Sequence, residues 1–408
     1  MSEETATPDP ARRRRVLVNI LLALALVCGL IGAHAVWVNR QALNAKRGTH
    51  VSAQLLEDPA IRQAISVYMV DQLFDNVDVQ AQIAGALPPR LKPLAGPATG
   101  GLREFANREA PRLLASPAIQ KLWIQANLVA REQLLKVVEG DGEALSTTGG
   151  NVVLDLRPLI EALAERLGIG NQVAALQAKA NLPPDAGQIV LMKSSQLDAA
   201  QNVAKLIRHL AFWLTVLMLV FLVAAIALAE NWRRLALRRS GWVLITVGLV
   251  VLLVRRVAGN KIVDALAPEG TVRTAADNAW DIVTELLRNI GLALCFYGVA
   301  VVIAAWLAGP TRLATAIRRA LAPTVIHDRA YIWGATVVLF LLLLLWAPVY
   351  ALTQAVGIIL TAIAIGVGVE FWCRQIAAEF PDAQRGDTSA RLRDWGTRTF
   401  RRRGAPSS

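Results

Sequence analysis

Histidine, cysteine and carboxylate side chains carry most acid–base and metal chemistry in proteins. In this chain they are sparse and scattered. None of the four histidines, His34, His50, His209 and His327, pairs with another at metal-ligand spacing. His34 and His209 sit near the ends of apolar stretches, so structural or interfacial roles suit them. The acidic residues Asp71, Asp75 and Asp78 share one helical face, and Glu139, Asp141 and Glu143 alternate with Gly140 and Gly142. A calcium loop needs a denser run of oxygen ligands around its turn glycine, so these read as a solvated face and a turn. There is no Gly-x-Ser-x-Gly elbow, no Walker loop and no His-Glu-x-x-His. Gly96-Pro97-Ala98-Thr99-Gly100-Gly101 is glycine-rich but follows no strand, which argues against a phosphate cradle. The expectation is a non-enzyme with no catalytic, cofactor or metal site.

The arginines tell more. The chain carries 43 Lys+Arg against 31 Asp+Glu, a net charge of +12, and the excess is unevenly placed. Residues 1–15, 230–240, 309–329 and 370–408 together hold 20 basic and 10 acidic residues. Residues 39–208 hold 18 and 16, and 255–289 hold five of each. Arg12, Arg13, Arg14 and Arg15 precede the first apolar stretch; Arg233, Arg234, Arg238 and Arg239 follow the second; Arg312, Arg318, Arg319 and Arg329 follow the fourth. Short basic loops stay on the cytoplasmic side of a membrane. The pI near 10.2 therefore reports orientation and contact with anionic lipid, through Arg12 to Arg15, Arg233, Arg234, Arg238, Arg239, Arg318 and Arg319. It does not report nucleic-acid binding.

The elements that hold these arginines are apolar helices. The chain is 54% hydrophobic, and about 20 apolar residues in a helix cross a bilayer core. Six spans are expected: 16–38, 209–229, 241–257, 290–308, 330–347 and 349–369. The third is free of charge only from Gly241 to Val254, roughly 21 Å of helix, so Arg255 and Arg256 must snorkel to the headgroups. The fifth and sixth are separated by Pro348 between Trp346 and Tyr350, which reads as a tight hairpin. Ala33-His34-Ala35 resembles a signal cleavage site, but the apolar run before it exceeds the roughly 7–15 residues of a signal peptide. The first span is read as an uncleaved anchor. The cysteines, Cys28, Cys295 and Cys373, all lie in or beside spans. Residues 39–208 thus carry neither a disulfide framework nor a cysteine zinc site. No Asp, Glu, Lys or Arg falls at the middle of a span, which argues against ion-coupled transport. Small residues mark packing faces: Ala362 with Gly366, Ala364 with Gly368, and Gly291, Gly298 and Ala305. These leave homo-oligomerisation open.

Residues 39–208 are long enough to form a separate, mostly helical extracytoplasmic domain. Asp58-Pro59 and Ser116-Pro117 are helix starts, and Asp78 caps a short helix ending near Leu87. Ile61, Ile65, Tyr68, Met69 and Leu73 form one apolar stripe; Ile119, Leu122, Trp123, Ala126, Leu134 and Val138 form another. Pro88 to Gly101 reads as an irregular crossing. Val152–Leu154 and Ile189–Leu191 are candidate strands around a helical stretch from Pro158 to Ala180. The Asp155-Leu156-Arg157 step pairs locally or caps that helix. One helix is expected from about Ser195 to Ala229. Residues 370–408 form a basic cytoplasmic tail, with Trp395 and Phe400 beside Arg401, Arg402 and Arg403.

The chain resembles a family of poorly characterised multi-pass membrane proteins from high-GC Gram-positive bacteria. The resemblance rests on Leu55 to Val79 with its Asp58-Pro59 step and Leu73-Phe74…Val77-Asp78-Val79 run. It continues through Leu87-Pro88-Pro89, Ser116…Leu122-Trp123…Ala126-Asn127, Val153-Leu154-Asp155-Leu156…Pro158-Leu159 and Ser194-Ser195-Gln196-Leu197. It implies an envelope location and an external helical domain, and supplies no activity. Where the family often has a histidine after the Trp-x-x-Ala-Asn element, this chain has Arg131.

The fold class expected is mainly α: a six-helix transmembrane bundle with a large, mostly helical extracytoplasmic domain and a small two-strand element. The expected function is that of a non-enzymatic cell-membrane protein with both termini cytoplasmic. Its external domain binds an envelope protein or a small apolar ligand. The alternative is a transporter or channel-like subunit for an apolar or lipid-like cargo.

Overall fold

The computed structural model describes residues 10–42, 45–139, 145–148, 151–155, 188–230, 232–267 and 270–381. The chain is mainly α, and six of its helices are long and apolar enough to cross a membrane. It divides into two compact units: Met1–Ile31, Leu214–Leu252 and Arg288–Ser408 form one, Gly32–Trp213 and Leu253–Leu287 the other. Three helices pass from one unit's residues into the other's: α1 (Pro10–Ala42), α7 (Ser194–Leu228) and α8 (Arg233–Leu266). The single helix expected after Ser194-Ser195 is therefore present as α7.

In the second unit, α2 (Ala45–Glu57), α3 (Pro59–Asn76) and α4 (Val79–Ala86) follow α1. Asp58 caps α3, its Oδ1 accepting from the amides of Ala60 and Ile61 at 2.9 and 3.0 Å. Asp78 caps α4 through Ala81 at 2.8 Å. A 3-10 turn (Pro89–Leu94) leads into α5 (Ala95–Leu114). The expected irregular crossing at Pro88 to Gly101 is thus ordered helix: Gly96, Gly100 and Gly101 lie in the first two turns of α5. Their cost, up to about 1 kcal/mol each against alanine, is met by packing of α5 on α3 and α4. The α6 helix (Pro117–Glu139) packs on α2, where Trp123 Nε1 donates to the carbonyl of Ser52 at 2.8 Å. The side chains of Leu134 and Val138 lie outside the described residues.

Strands β1 (Leu145–Thr148), β2 (Asn151–Asp155) and β3 (Gln188–Lys193) pair antiparallel in that order, with an irregularity at Val152/Val153. Both expected strand segments are among them. The expected helix at 158–180, Leu156 and Arg157 of the Asp155-Leu156-Arg157 step and the turn around Asp141 and Glu143 lie outside the described residues. Helix α9 (Thr271–Val283) completes the unit, packing on α3 and α2.

The first unit holds most of α1 and α8, and α7 from Leu214 onward. Val18, Leu22 and Ala25 of α1 are buried against Met218, Leu222 and Ala225 of α7, with Val243, Leu244 and Leu294 around them. Helices α8 and α10 (Glu285–Leu307) meet through glycines. A Cβ on Gly248 would lie 2.6 Å from the carbonyl oxygen of Gly291, and one on Gly298 2.8 Å from that of Gly241. The expected face of Gly291, Gly298 and Ala305 is therefore a packing face. The Ala364–Gly368 face is open, with nothing within 4 Å of a Cβ on Gly368.

Residues 309–329, read from sequence as a basic loop, contain the helix α11 (Arg312–His327), capped by Thr311. Helix α12 (Arg329–Trp346) ends at Ala347, whose φ of 41° is left-handed. Pro348 and a 3-10 turn (Tyr350–Thr353) then precede α13 (Ala355–Glu379). The hairpin at Pro348 is real but wider than expected, so the sixth helix starts at Ala355, not Val349. It runs ten residues beyond the expected end. Ala322, Val325, Cys373 and Ile376 form the core where α11 meets α13. Trp395, Phe400 and the terminal arginines lie outside the described residues.

Candidate functional site

The apolar stripe of α3 is only partly covered. Ile61 is buried, but Tyr68, Met69 and Leu73 are more than half exposed. Ser66 and Val70 take the buried positions instead. Burial of Ser66 is tolerated because its hydroxyl donates to the carbonyl of Arg62, one turn back, at 2.7 Å. Hydropathy alone puts a serine outside, and so misassigns the face. On α5, Leu102, Phe105 and Leu113 are likewise exposed, at i, i+3 and i+11. The two helices pack together. They are joined by Arg103, whose Nη2 meets Asp71 Oδ1 at 2.5 Å and whose guanidinium lies 5.8 Å from the Phe74 ring centre. The hydrogen bond and charge of Asp71, helped by Asp75, raise the Arg103 pKa above its ordinary value. The acidic trio thus serves structure: Asp71 and Asp75 face an arginine, and Asp78 caps a helix.

Two carboxylates of residues 255–289, Asp264 and Asp281, are paired with arginines. Arg255 has partners within the chain: its Nη2 pairs with Asp281 at 2.6 Å and its Nε donates to Thr284 Oγ1 at 2.8 Å. Thr284 is fully buried and donates in turn to the carbonyl of Trp280 at 2.6 Å. Asp264 pairs with Arg273 at 2.6 Å. Asp277 and Glu285 are exposed, and Glu269 lies outside the described residues. Asp58 Oδ2 accepts from Asn278 Nδ2 at 2.9 Å, so the carboxylate that caps α3 also holds α9. Trp280 lies so close over Gly259 that a Cβ there would sit 2.4 Å from its indole nitrogen. Among the described residues no three His, Cys, Asp or Glu side chains converge as a metal site would require. The Nδ1 atoms of His209 and His327 face the carbonyls of Lys205 and Pro323 in their own helices.

The arginines named from the sequence divide by environment. Arg12, Arg13, Arg14, Arg15, Arg233, Arg234, Arg238, Arg239 and Arg319 are exposed. Arg14 pairs with Glu230, Arg239 donates to Asn19 Oδ1 at 2.9 Å and lies over Trp232, and Arg319 lies over Phe380. Arg318 departs from the lipid-contact reading, because its side chain is only 2% exposed. It grips Glu379 with Nε and Nη2 at 2.9 and 3.2 Å, and its Nη1 donates to the carbonyls of Leu307 and Gly309 at 2.6 and 2.7 Å. A positive-inside count sees its charge but not the partners that enclose it. Compared with known protein families, curated proteins and solved structures, the chain matches none.

Proposed function

We propose that this chain is a non-enzymatic multi-pass protein of the cell membrane, with cytoplasmic termini and an external second unit that binds a protein partner or an apolar ligand. The observation that carries the reading is the pair of apolar stripes left open on packed helices, Met69 and Leu73 on α3 and Leu102, Phe105 and Leu113 on α5. Large exposed apolar surface is a usual mark of an interaction site. Orientation draws support from charge: the arginine-rich loops belong to the first unit, and both charge-balanced segments belong chiefly to the second. The transport alternative would find support in polar groups inside the spans. Tyr297 and Thr361 do meet there at 3.0 Å, but Thr361 donates to the carbonyl of Gly357 and so accepts from Tyr297. That pair is a helix-to-helix fastening.

Cysteine labelling tests both parts at once. With Cys28, Cys295 and Cys373 replaced, Arg90→Cys is expected to react with a membrane-impermeant maleimide in intact cells. Phe105→Cys is expected to react several-fold more slowly there and to match Arg90→Cys once purified. No labelling of Arg90→Cys before permeabilisation would sink the orientation. Equal rates at both positions in cells would sink the binding face.

A further inference from the structure

The four arginines that open α1 do not share one environment. The face of α1 carrying Val18, Leu22 and Ala25 is packed on α7, and Arg14 on this helix is neutralised by Glu230. Asn19 is held by Arg239. A different face carries Val16, Leu17, Ile20, Leu24, Val27 and Ile31, each between 43% and 52% exposed. A surface depression at the head of that face is lined by Arg12, Arg13, Val16, Leu17 and Ile20. Two exposed guanidiniums therefore stand at one end of an apolar track. From Arg13 to Leu24 the track is about 17 Å long at 1.5 Å per residue, close to the roughly 15 Å of one leaflet's hydrocarbon half.

We propose that Arg12 and Arg13, with Val16, Leu17 and Ile20 beneath them, form a binding site for one anionic phospholipid. Its phosphate lies between the guanidiniums, which present forked donors to phosphate oxygens, and an acyl chain follows Val16, Ile20 and Leu24. Charge complementarity selects the occupant: a zwitterionic lipid would bring its own cation to the two arginines. An apolar protein helix would bury the track but offer no acceptor to the two guanidiniums. Among the described residues Arg14 pairs with Glu230, while Arg12 and Arg13 line the depression.

The test is native mass spectrometry of the full-length protein in mild detergent, with phosphatidylglycerol or phosphatidylcholine of equal chain length added. One phosphatidylglycerol is expected to stay bound under collisional activation that strips phosphatidylcholine. Arg12→Gln with Arg13→Gln is expected to weaken its retention about thirtyfold, since each basic contact at an anionic surface contributes roughly fivefold. Arg14→Gln, which alters the Glu230 pair, is expected to leave retention unchanged. Ile20→Trp fills the depression without altering the charge that sets membrane insertion, and is expected to displace the lipid even where the double variant fails to insert. Equal retention of both lipids, undiminished retention in Ile20→Trp, or an equal loss in Arg14→Gln would each overturn the site.

Discussion

At the scale of single residues, Arg318 is the largest fully buried side chain among the described residues. Its four hydrogen bonds serve a carboxylate on α13 and two carbonyls at the end of α10, so three elements meet on one guanidinium. Arg318→Met would leave Glu379, about two-thirds buried, without its counter-charge, and two carbonyls without a donor. Breaking one side of a buried pair costs about 3–5 kcal/mol, and the partial exposure of Glu379 places this case at the lower end. The expected result is a loss of about 3 kcal/mol, read as a lower unfolding midpoint in detergent. Adding Glu379→Gln to Arg318→Met should recover part of that loss, because the orphaned charge is then gone. An unchanged midpoint in Arg318→Met would show that the pair does not hold these elements together.

At the scale of elements, what was legible in the sequence was what is decided locally. Asp58-Pro59 and Asp78 start helices because a carboxylate satisfies amides two or three residues away. The apolar spans were legible by length, and the hairpin by Pro348. What could not be read depends on neighbours. Helix α11 looked like a loop because its composition is basic, yet Ala322 and Val325 have a core to join. The face of α3 was misread because Ser66 satisfies its own hydroxyl. The glycines of α8 and α10 show the same division: Gly291 and Gly298 were recognisable as a small-residue face, but their partners Gly241 and Gly248 were not. The contact makes a sharp prediction. Gly248→Ala should force the helices apart, because its Cβ would sit 2.6 Å from a backbone oxygen that cannot swing aside, whereas Gly334→Ala and Gly368→Ala meet nothing within 4 Å. Gly248→Ala is expected to lose about 1–3 kcal/mol, as overpacking does, and the other two to lose nothing and gain up to about 1 kcal/mol from the better helix former. Thermal unfolding of the three variants side by side decides it; equal midpoints would sink the close packing.

At the scale of the whole molecule, the second unit is discontinuous in sequence. The natural fragment to express would be residues 39–208, yet the unit also takes Leu253–Leu287. Helix α9 from that segment covers α2 and α3, burying Ala275 and joining Asn278 to the cap of α3. Arg255 and Trp280 bind the C-terminal part of α8 to α9 within the same segment. A fragment of 39–208 alone therefore starts α3 without the Asn278 bond and bares the side that α9 covers. Losing one hydrogen bond to a charged group and one buried contact removes upward of about 1.4 kcal/mol, a factor of ten in local opening. Amide hydrogen exchange in α3 is expected to be at least about tenfold faster in that fragment than in the full chain. Joining residues 253–287 to the fragment by a flexible linker should return most of the protection, while Asn278→Ala in the joined form should return less. Equal exchange with and without residues 253–287 would mean that α9 rests on the unit without stabilising it.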